Sequence, residues 1–266
     1  MNDETTFGPI AYDYDRYLGP LLFEPFAEDL SRRFCDLSEG CFLELAAGTG
    51  VSTRRLDQAL APAIRIVAID ISSDMLKRAK KQSHSDRICW RVADVMSLPF
   101  VDESFDAAAC QFEIMFMPDK RRAFEEVRRV LRPRARFVFS VWDRIETCEL
   151  SCLAATVLSD LLSHSRNQFI CRAPYSYWDL PHIESDLLAA GFQLLASETL
   201  KLYSQAANAC AAATSLCLGS PVRTDLEAHG IELTKAIDIV AESIASKFGQ
   251  GLLTAPMQAH VITVSR

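Results

Sequence analysis

The stretch Glu44-Leu45-Ala46-Ala47-Gly48-Thr49-Gly50 decides the fold. It closes an apolar run, Cys41 to Leu45, that reads as a strand, and it opens a helical pattern across Ser52 to Leu60. Glycine at 48 and 50 lets the backbone bend sharply and approach a ligand where a Cβ would stand in the way. A nicotinamide-binding turn needs a third glycine, and from Gly48 that place is held by Thr53, which weakens the dinucleotide reading. Taken alone, the turn also fits a plain strand-to-helix connection.

Working outward, short apolar runs alternate with helical patterns from about residue 40 to 142, as βα units of a parallel sheet do. The predicted strands are Cys41 to Leu45, Ile64 to Ile69, Ile88 to Val92, Phe105 to Cys110 and Ala135 to Trp142. A helix opens near Pro118 and Asp119 and ends before Pro133. Beyond Trp142 the alternation stops. Helices are expected from Leu150 to Leu162, Pro181 to Ala190, Ala206 to Leu218 and Asp225 to Phe248, with strands at Phe192 to Leu202 and His260 to Val264.

The fold class is therefore α/β, a Rossmann-like, seven-stranded, mostly parallel sheet with helices on both faces. One domain is expected over 1–266, with amino-terminal cap helices in 1–40, a cofactor-binding core in 41–142, and lid insertions in 146–178 and 206–250. Such insertions are expected over the carboxyl ends of the strands, where open α/β sheets bind ligands.

Asp70 ends the second strand about twenty residues past the glycines, where a carboxylate can accept from both hydroxyls of a ribose. Ser72 and Ser73 already serve to cap the helix that follows, so Asp70 is not needed there. Asp94 closes the third strand. Carboxylates ending adjacent strands repel one another unless a ligand or donor lies between them.

These segments, together with Val67-Ala68-Ile69-Asp70-Ile71-Ser72, Asp74-Met75-Leu76, Ala93-Asp94-Val95, Leu98-Pro99-Phe100 and Ser104-Phe105-Asp106, resemble the class I S-adenosylmethionine-dependent methyltransferases. The similarity is strongest to the small-molecule branch with the ubiquinone-biosynthesis-like domain. The family's first motif reads acidic-x-Gly-x-Gly-x-Gly, and here Ala46 holds the first glycine place.

The resemblance implies that Glu44 organises the turn and the cofactor's amino group, and that Ala46, Gly48 and Gly50 lie along the methionine part. It implies that Asp70 holds the ribose, that Ile71 beside it also binds the cofactor, and that Met75 packs on the adenine. Asp94 and the Val95 backbone would read the adenine edge, and Gln111 and Phe112 would border the methionine and the entering substrate. Tyr17 or Tyr12, in an aromatic amino-terminal segment, would reach the cofactor's carboxylate. The implied cofactor is S-adenosylmethionine, with S-adenosylhomocysteine as product. The implied activity is methyl transfer to a small aromatic or hydrophobic acceptor, and the alternative is a non-catalytic S-adenosylmethionine-binding sensor or scaffold subunit.

No catalytic residue is assigned. His164, His182, Tyr175 and Tyr177 are the base candidates near the expected mouth. The apolar run Phe112, Ile114, Met115, Phe116, Met117 reads equally as pocket wall or as core.

Composition bounds the partners. The 266 residues carry 49% hydrophobic and 24% charged side chains, ordinary for a globular chain, and a formal charge of −7, which argues against nucleic acid. Lys120, Arg121, Arg122, Arg128, Arg129, Arg132, Arg134 and Arg136 form the one basic cluster, read as a solvated helix face. No signal peptide or membrane-spanning run is evident, so a cytoplasmic protein is expected. Nine cysteines lie scattered without a Cys-x-x-Cys pair, which indicates neither a disulfide framework nor a zinc site, and no metal is expected. Oligomeric state is left open.

Overall fold

The computed structural model describes residues 10–162 and 173–266. Seven strands form one sheet: β1 Gly40–Leu45, β2 Ile64–Asp70, β3 Ile88–Val92, β4 Phe105–Gln111, β5 Leu131–Trp142, β6 Gln193–Ala206 and β7 Leu253–Ser265. Their spatial order is β3-β2-β1-β4-β5-β7-β6. β1 to β5 pair in parallel, and β7 runs antiparallel to both its neighbours. The order reverses between β1 and β4, and a crevice opens at such a switch point, outside the carboxyl ends of the strands.

The central strands are apolar along their length because both sheet faces are covered. Phe42, Leu43, Leu45, Ala108, Ala109 and Cys110 are fully buried. Phe34, Phe42, Leu56 and Ile66 pack on one face; Phe105, Phe124, Phe137 and Phe139 belong to the cluster on the other.

The helices are α1 Glu24–Arg32, α2 Val51–Ala59, α3 Ser73–Gln82, α4 Lys120–Val130, α5 Glu149–Leu161, α6 Leu180–Ala189, α7 Ala209–Leu218, α8 Val222–Ala228 and α9 Leu233–Phe248. Caps act where the sequence places them: Ser72 accepts from the Met75 amide at the start of α3, and Asp119 from the Arg122 amide at the start of α4. Ahead of α1, Tyr14–Phe23 winds as a π-helix with Pro20 inside it.

Two expectations need correcting. The helix read over Asp225 to Phe248 is two helices, because Gly230 at φ +67° ends α8 and the Ile231 amide turns back to the Leu226 carbonyl at 3.0 Å. The last strand starts at Leu253 rather than His260. Pro256 masked that extension, but β7 pairs with β5 only from Ala259 onward, so at Pro256 it has a single neighbour and no ladder bond is lost on the open side.

No helix of the described residues is long and apolar enough to cross a membrane. The basic cluster lies at the surface, as expected, and most of its members pair with neighbouring groups there. Arg129 pairs with Glu126 and Asp102, Arg132 with Asp106, Arg136 with Asp36 and Arg121 with Glu125, while Arg128 donates to the Gly191 carbonyl.

Candidate functional site

The turn after β1 has an alternating backbone: Ala46, Gly48 and Gly50 all adopt positive φ, at +51°, +55° and +81°. Ala46 thus sits in the region that favours glycine, at about 1 kcal/mol or more of strain for a residue with a Cβ. The Ala47 amide donates to the Ile69 carbonyl at 2.8 Å and ties the turn to β2. The two glycines serve different ends. A Cβ on Gly48 would meet nothing within 4 Å, because it would project into a cavity, whereas one on Gly50 would lie 2.9 Å from the Trp90 ring and 3.2 Å from Ala79. Gly50 therefore lets the turn pack against α3 and β3, and it does not line the cavity.

That cavity lies along the carboxyl edge of β1 to β5 and holds about 1650 Å³, its mouth included. Its floor is formed by Ala46 to Thr49, Asp70 to Ser72, Ala93 to Met96, Gln111 to Glu113 and Trp142. Tyr14, Leu18, Leu22 and Phe23 of the π-helix roof it, and Ser151, Pro174, Tyr175, Leu216, Ser220 and Pro221 close the far wall. The described part of both sequence insertions therefore reaches the pocket.

Of the residues singled out from sequence, Ala46, Gly48, Asp70, Ile71, Met75, Asp94, Val95, Gln111 and Phe112 line this cavity together. Three do not. Gly50 packs behind the turn. Glu44 lies beneath it, 1% exposed, with Oε1 accepting from the Ser52 hydroxyl and Oε2 buried without a partner. Burial pushes the Glu44 carboxyl up to about 7, helped by the charge of Asp70 and opposed by the Ser52 hydroxyl.

Tyr17 is the third, and it needs correcting in favour of Tyr14. In the wide π-helical turn, positions 14, 18 and 22 share the pocket side, while Tyr17 turns away beside Arg16, whose guanidinium lies 5.1 Å from its ring. Tyr12 is half exposed and likewise outside, under Arg78. A 3.6-residue period hides this register. The π-helix is pinned by Asp15, which accepts from Arg54 of α2 and Arg78 of α3 at 3.2 and 2.8 Å.

Asp70 accepts from the Gly48 amide at 2.7 Å and the Ser72 amide at 2.7 Å, so one carboxylate joins the ends of β1 and β2. Asp94 accepts from the Met96 amide at 2.8 Å. Gln111 donates its amide to the Phe23 carbonyl at 3.0 Å, and its own Oε1 is buried with no partner. Phe112, at φ +56°, stacks on Trp142 with ring centroids 3.9 Å apart.

The apolar run after β4 splits: Phe112, Phe116 and Met117 face the cavity, while Ile114 and Met115 are core. Among the base candidates Tyr175 lines the cavity. Tyr177 instead donates to Asp186 at 2.6 Å, His182 lies on the surface beside the same Asp186, and His164 falls outside the described residues. Burial above all drives the Tyr14 and Tyr175 phenols far up, so both stay protonated.

Three carboxylates, Asp70, Asp94 and Glu113, face the cavity, and no Lys, Arg or His does so among the described residues. A ligand of nucleoside type, with hydroxyl and amine donors, fits this set of acceptors. The Asp70 carboxylate, the open space at Gly48 and the orphaned Gln111 oxygen all lie along this cavity.

Fold and pocket together define a Rossmann-like methyltransferase architecture. Residues 43–139 match the family described as Methyltransferase domain. The chain is 40% identical over 101 residues to the ubiquinone/menaquinone biosynthesis C-methyltransferase of Paracoccus denitrificans, covering 36% of this chain and 40% of that protein. It is 38% identical over 100 residues to the demethylmenaquinone methyltransferase of Lactiplantibacillus plantarum, covering 36% and 42%. The match thus spans about two-fifths of the length of these relatives. The solved structure of Haemonchus contortus phosphoethanolamine N-methyltransferase 2 in complex with S-adenosyl-L-methionine shares the fold, with a TM-score of 0.58 at 16% identity over 96% of this chain and 56% of that one.

Proposed function

We propose that this chain transfers a methyl group from S-adenosylmethionine to a small, flat, apolar acceptor. The observation that carries the reading is the joint at the β1 and β2 ends, where Asp70 accepts from the Gly48 amide beside a cradle that any side chain at 48 would fill. In this reading Asp70 holds the ribose hydroxyls, Ile71 and Met75 flank the adenine, and Asp94 and Val95 read its edge. Gln111 Oε1 takes a donor from the methionine part. Glu44 acts from below by holding the turn.

When bound, the sulfonium supplies an electrophilic methyl carbon open to in-line displacement. The chain's part is to position and to keep dry. Phe23, Phe112, Trp142 and Tyr175 form one run of ring contacts with centroid separations between 3.9 and 6.2 Å, a rigid surface for a flat molecule. In this reading the π-helix and the described parts of the two insertions border that surface and keep the site dry. The relatives named for quinone biosynthesis support a flat apolar acceptor. A sensor that binds the cofactor without transfer needs no acceptor space, and the extension of the cavity past the β4 end to Phe116, Trp142 and Tyr175 favours transfer.

The test is transfer of labelled methyl from S-adenosylmethionine to a panel of aromatic acceptors, with Asp70→Ala and His182→Ala beside the natural chain. Asp70→Ala is expected to weaken S-adenosylhomocysteine binding at least tenfold, because two hydroxyls lose a charged acceptor, and to depress transfer. His182→Ala is expected to leave both within twofold. Equal effects contradict the ribose assignment.

A further inference from the structure

Two arginines meet one carboxylate behind the pocket roof. Asp15 lies in the first turn of the π-helix, beside Tyr14, and its side chain is 7% exposed. Its Oδ1 accepts from Arg54 Nη2 of α2 at 3.2 Å, and its Oδ2 accepts from Arg78 of α3, with Nε at 2.8 Å and Nη2 at 2.7 Å. A carboxylate enclosed in this way depends on its cationic partners, and each bond it accepts is charge-assisted. The roof is thereby joined to the helices that follow the glycine turn and Asp70.

Arg54 has a second partner. Its other prong, Nη1, donates to the Thr49 carbonyl at 2.9 Å, inside the glycine turn and next to Gly48. One planar guanidinium thus grips the turn and the roof together, and its rigid fork sets the spacing between them. Movement of Asp15 away from Arg54 releases that prong and loosens the hold on Thr49. At the far end of the π-helix the Phe23 carbonyl accepts from Gln111 at 3.0 Å, and Tyr14 stacks on Phe23 with ring centroids 5.3 Å apart. The roof is therefore fastened at both ends to segments that line the cavity.

We propose that Asp15, acting through Arg54 and Arg78, is a positioning residue for the cofactor: the clasp holds the Tyr14–Phe23 roof against the glycine turn and so retains a bound S-adenosyl ligand. The inference rests on the methyl-transfer reading and extends it to residues that stand outside the cavity lining. Asp15, Arg54 and Arg78 do not border the cavity, so they act on the ligand through the roof and the turn.

The test joins calorimetric titration with S-adenosylhomocysteine to hydrogen exchange of the cofactor-free chain, for the natural chain, Asp15→Asn, Arg54→Met and the double variant. Asp15→Asn keeps the shape of the side chain and removes its charge. It is expected to weaken S-adenosylhomocysteine about fivefold or more and to speed amide exchange across 14–23, while β1 and β4 stay as protected as in the natural chain and show that the variant is folded. Because both residues belong to one clasp, the double variant is expected to bind within about twofold of Asp15→Asn alone, short of the product of the two single effects. Arg55 of α2 pairs with Glu24 at 3.6 Å and is not part of the clasp, so Arg55→Met is expected to leave affinity within about twofold.

Unchanged affinity in Asp15→Asn overturns the proposal. So do single effects that multiply in the double variant, or a loss in Arg55→Met as large as that in Asp15→Asn. Failure of the natural chain to bind S-adenosylhomocysteine counts against the methyl-transfer reading instead. The clasp is then decided by exchange in the cofactor-free chain, where unchanged protection of 14–23 in Asp15→Asn overturns it and faster exchange confined to that segment supports it.

Discussion

At the scale of single residues, Gly48 and Glu44 carry the sharpest consequences. Gly48→Ala places a methyl group in open cavity at φ +55°, so the expected cost to folding is about 1 kcal/mol while S-adenosylhomocysteine affinity falls at least tenfold. Thermal melting and calorimetry on one sample check both. A variant that binds normally contradicts the cradle. Glu44 makes a pH prediction. Its folded-state carboxyl is raised from 4.5 to about 7, so between those values the native state binds more protons than the unfolded chain, and its contribution to stability falls as pH rises through the window and levels off above it. Glu44→Gln removes that slope. The stability of the natural chain relative to the variant is expected to drop by on the order of 3 kcal/mol from pH 4.5 to 8, measured by denaturant unfolding. A constant difference across the range contradicts it. Gly48, Asp70 and Asp94 were legible because each lies at or just past the carboxyl end of a strand in an ordered motif. It did not separate Gly48 from Gly50, because which glycine faces a ligand and which faces Trp90 depends on the path of the turn.

At the scale of elements, the loop from Val95 to Ser104 is held by α4. Arg129 donates to the Leu98 and Phe100 carbonyls at 3.0 and 2.8 Å, and Glu126 accepts from the Leu98 amide at 2.8 Å. Glu126 is buried, so Arg129→Met strips it of its main cationic partner and frees two carbonyls; the expected loss is about 2 kcal/mol. The same change is expected to loosen the loop behind Asp94. Hydrogen exchange of 95–104 with a melting curve is the check, and an unchanged melting temperature contradicts it. Sequence pattern read the basic stripe as a solvated face, and most of it is one; the reach of Arg129 back to the loop was not legible, because charge spacing on a helix carries no information about carbonyls delivered by a distant segment. β1 to β4 were legible to within a residue or so, since buried parallel strands are continuous apolar runs. The π-helix was not, because its i→i+5 winding moves Tyr14, rather than Tyr17, to the pocket side.

At the scale of the whole molecule, the parallel order β3-β2-β1-β4-β5 lines up the strand ends, and segments far apart in sequence supply the roof. Tyr14 and Leu216 line the same cavity although some 200 residues separate them, and α7 packs directly on the π-helix. That long-range closure is why the acceptor wall was only partly legible: the insertions advertise apolar and aromatic groups, but which of them face inward is settled by packing. Tyr175 turns in, whereas Trp178 lies under Arg144 with its ring centroid 4.1 Å from the guanidinium. The central claim is that this cavity is a cofactor site despite alanine at the first glycine place. The measurement that tests it most directly is calorimetric titration of the purified chain with S-adenosylmethionine and, separately, with S-adenosylhomocysteine. One site on each chain with micromolar affinity for both is expected; binding of neither contradicts a cofactor site here.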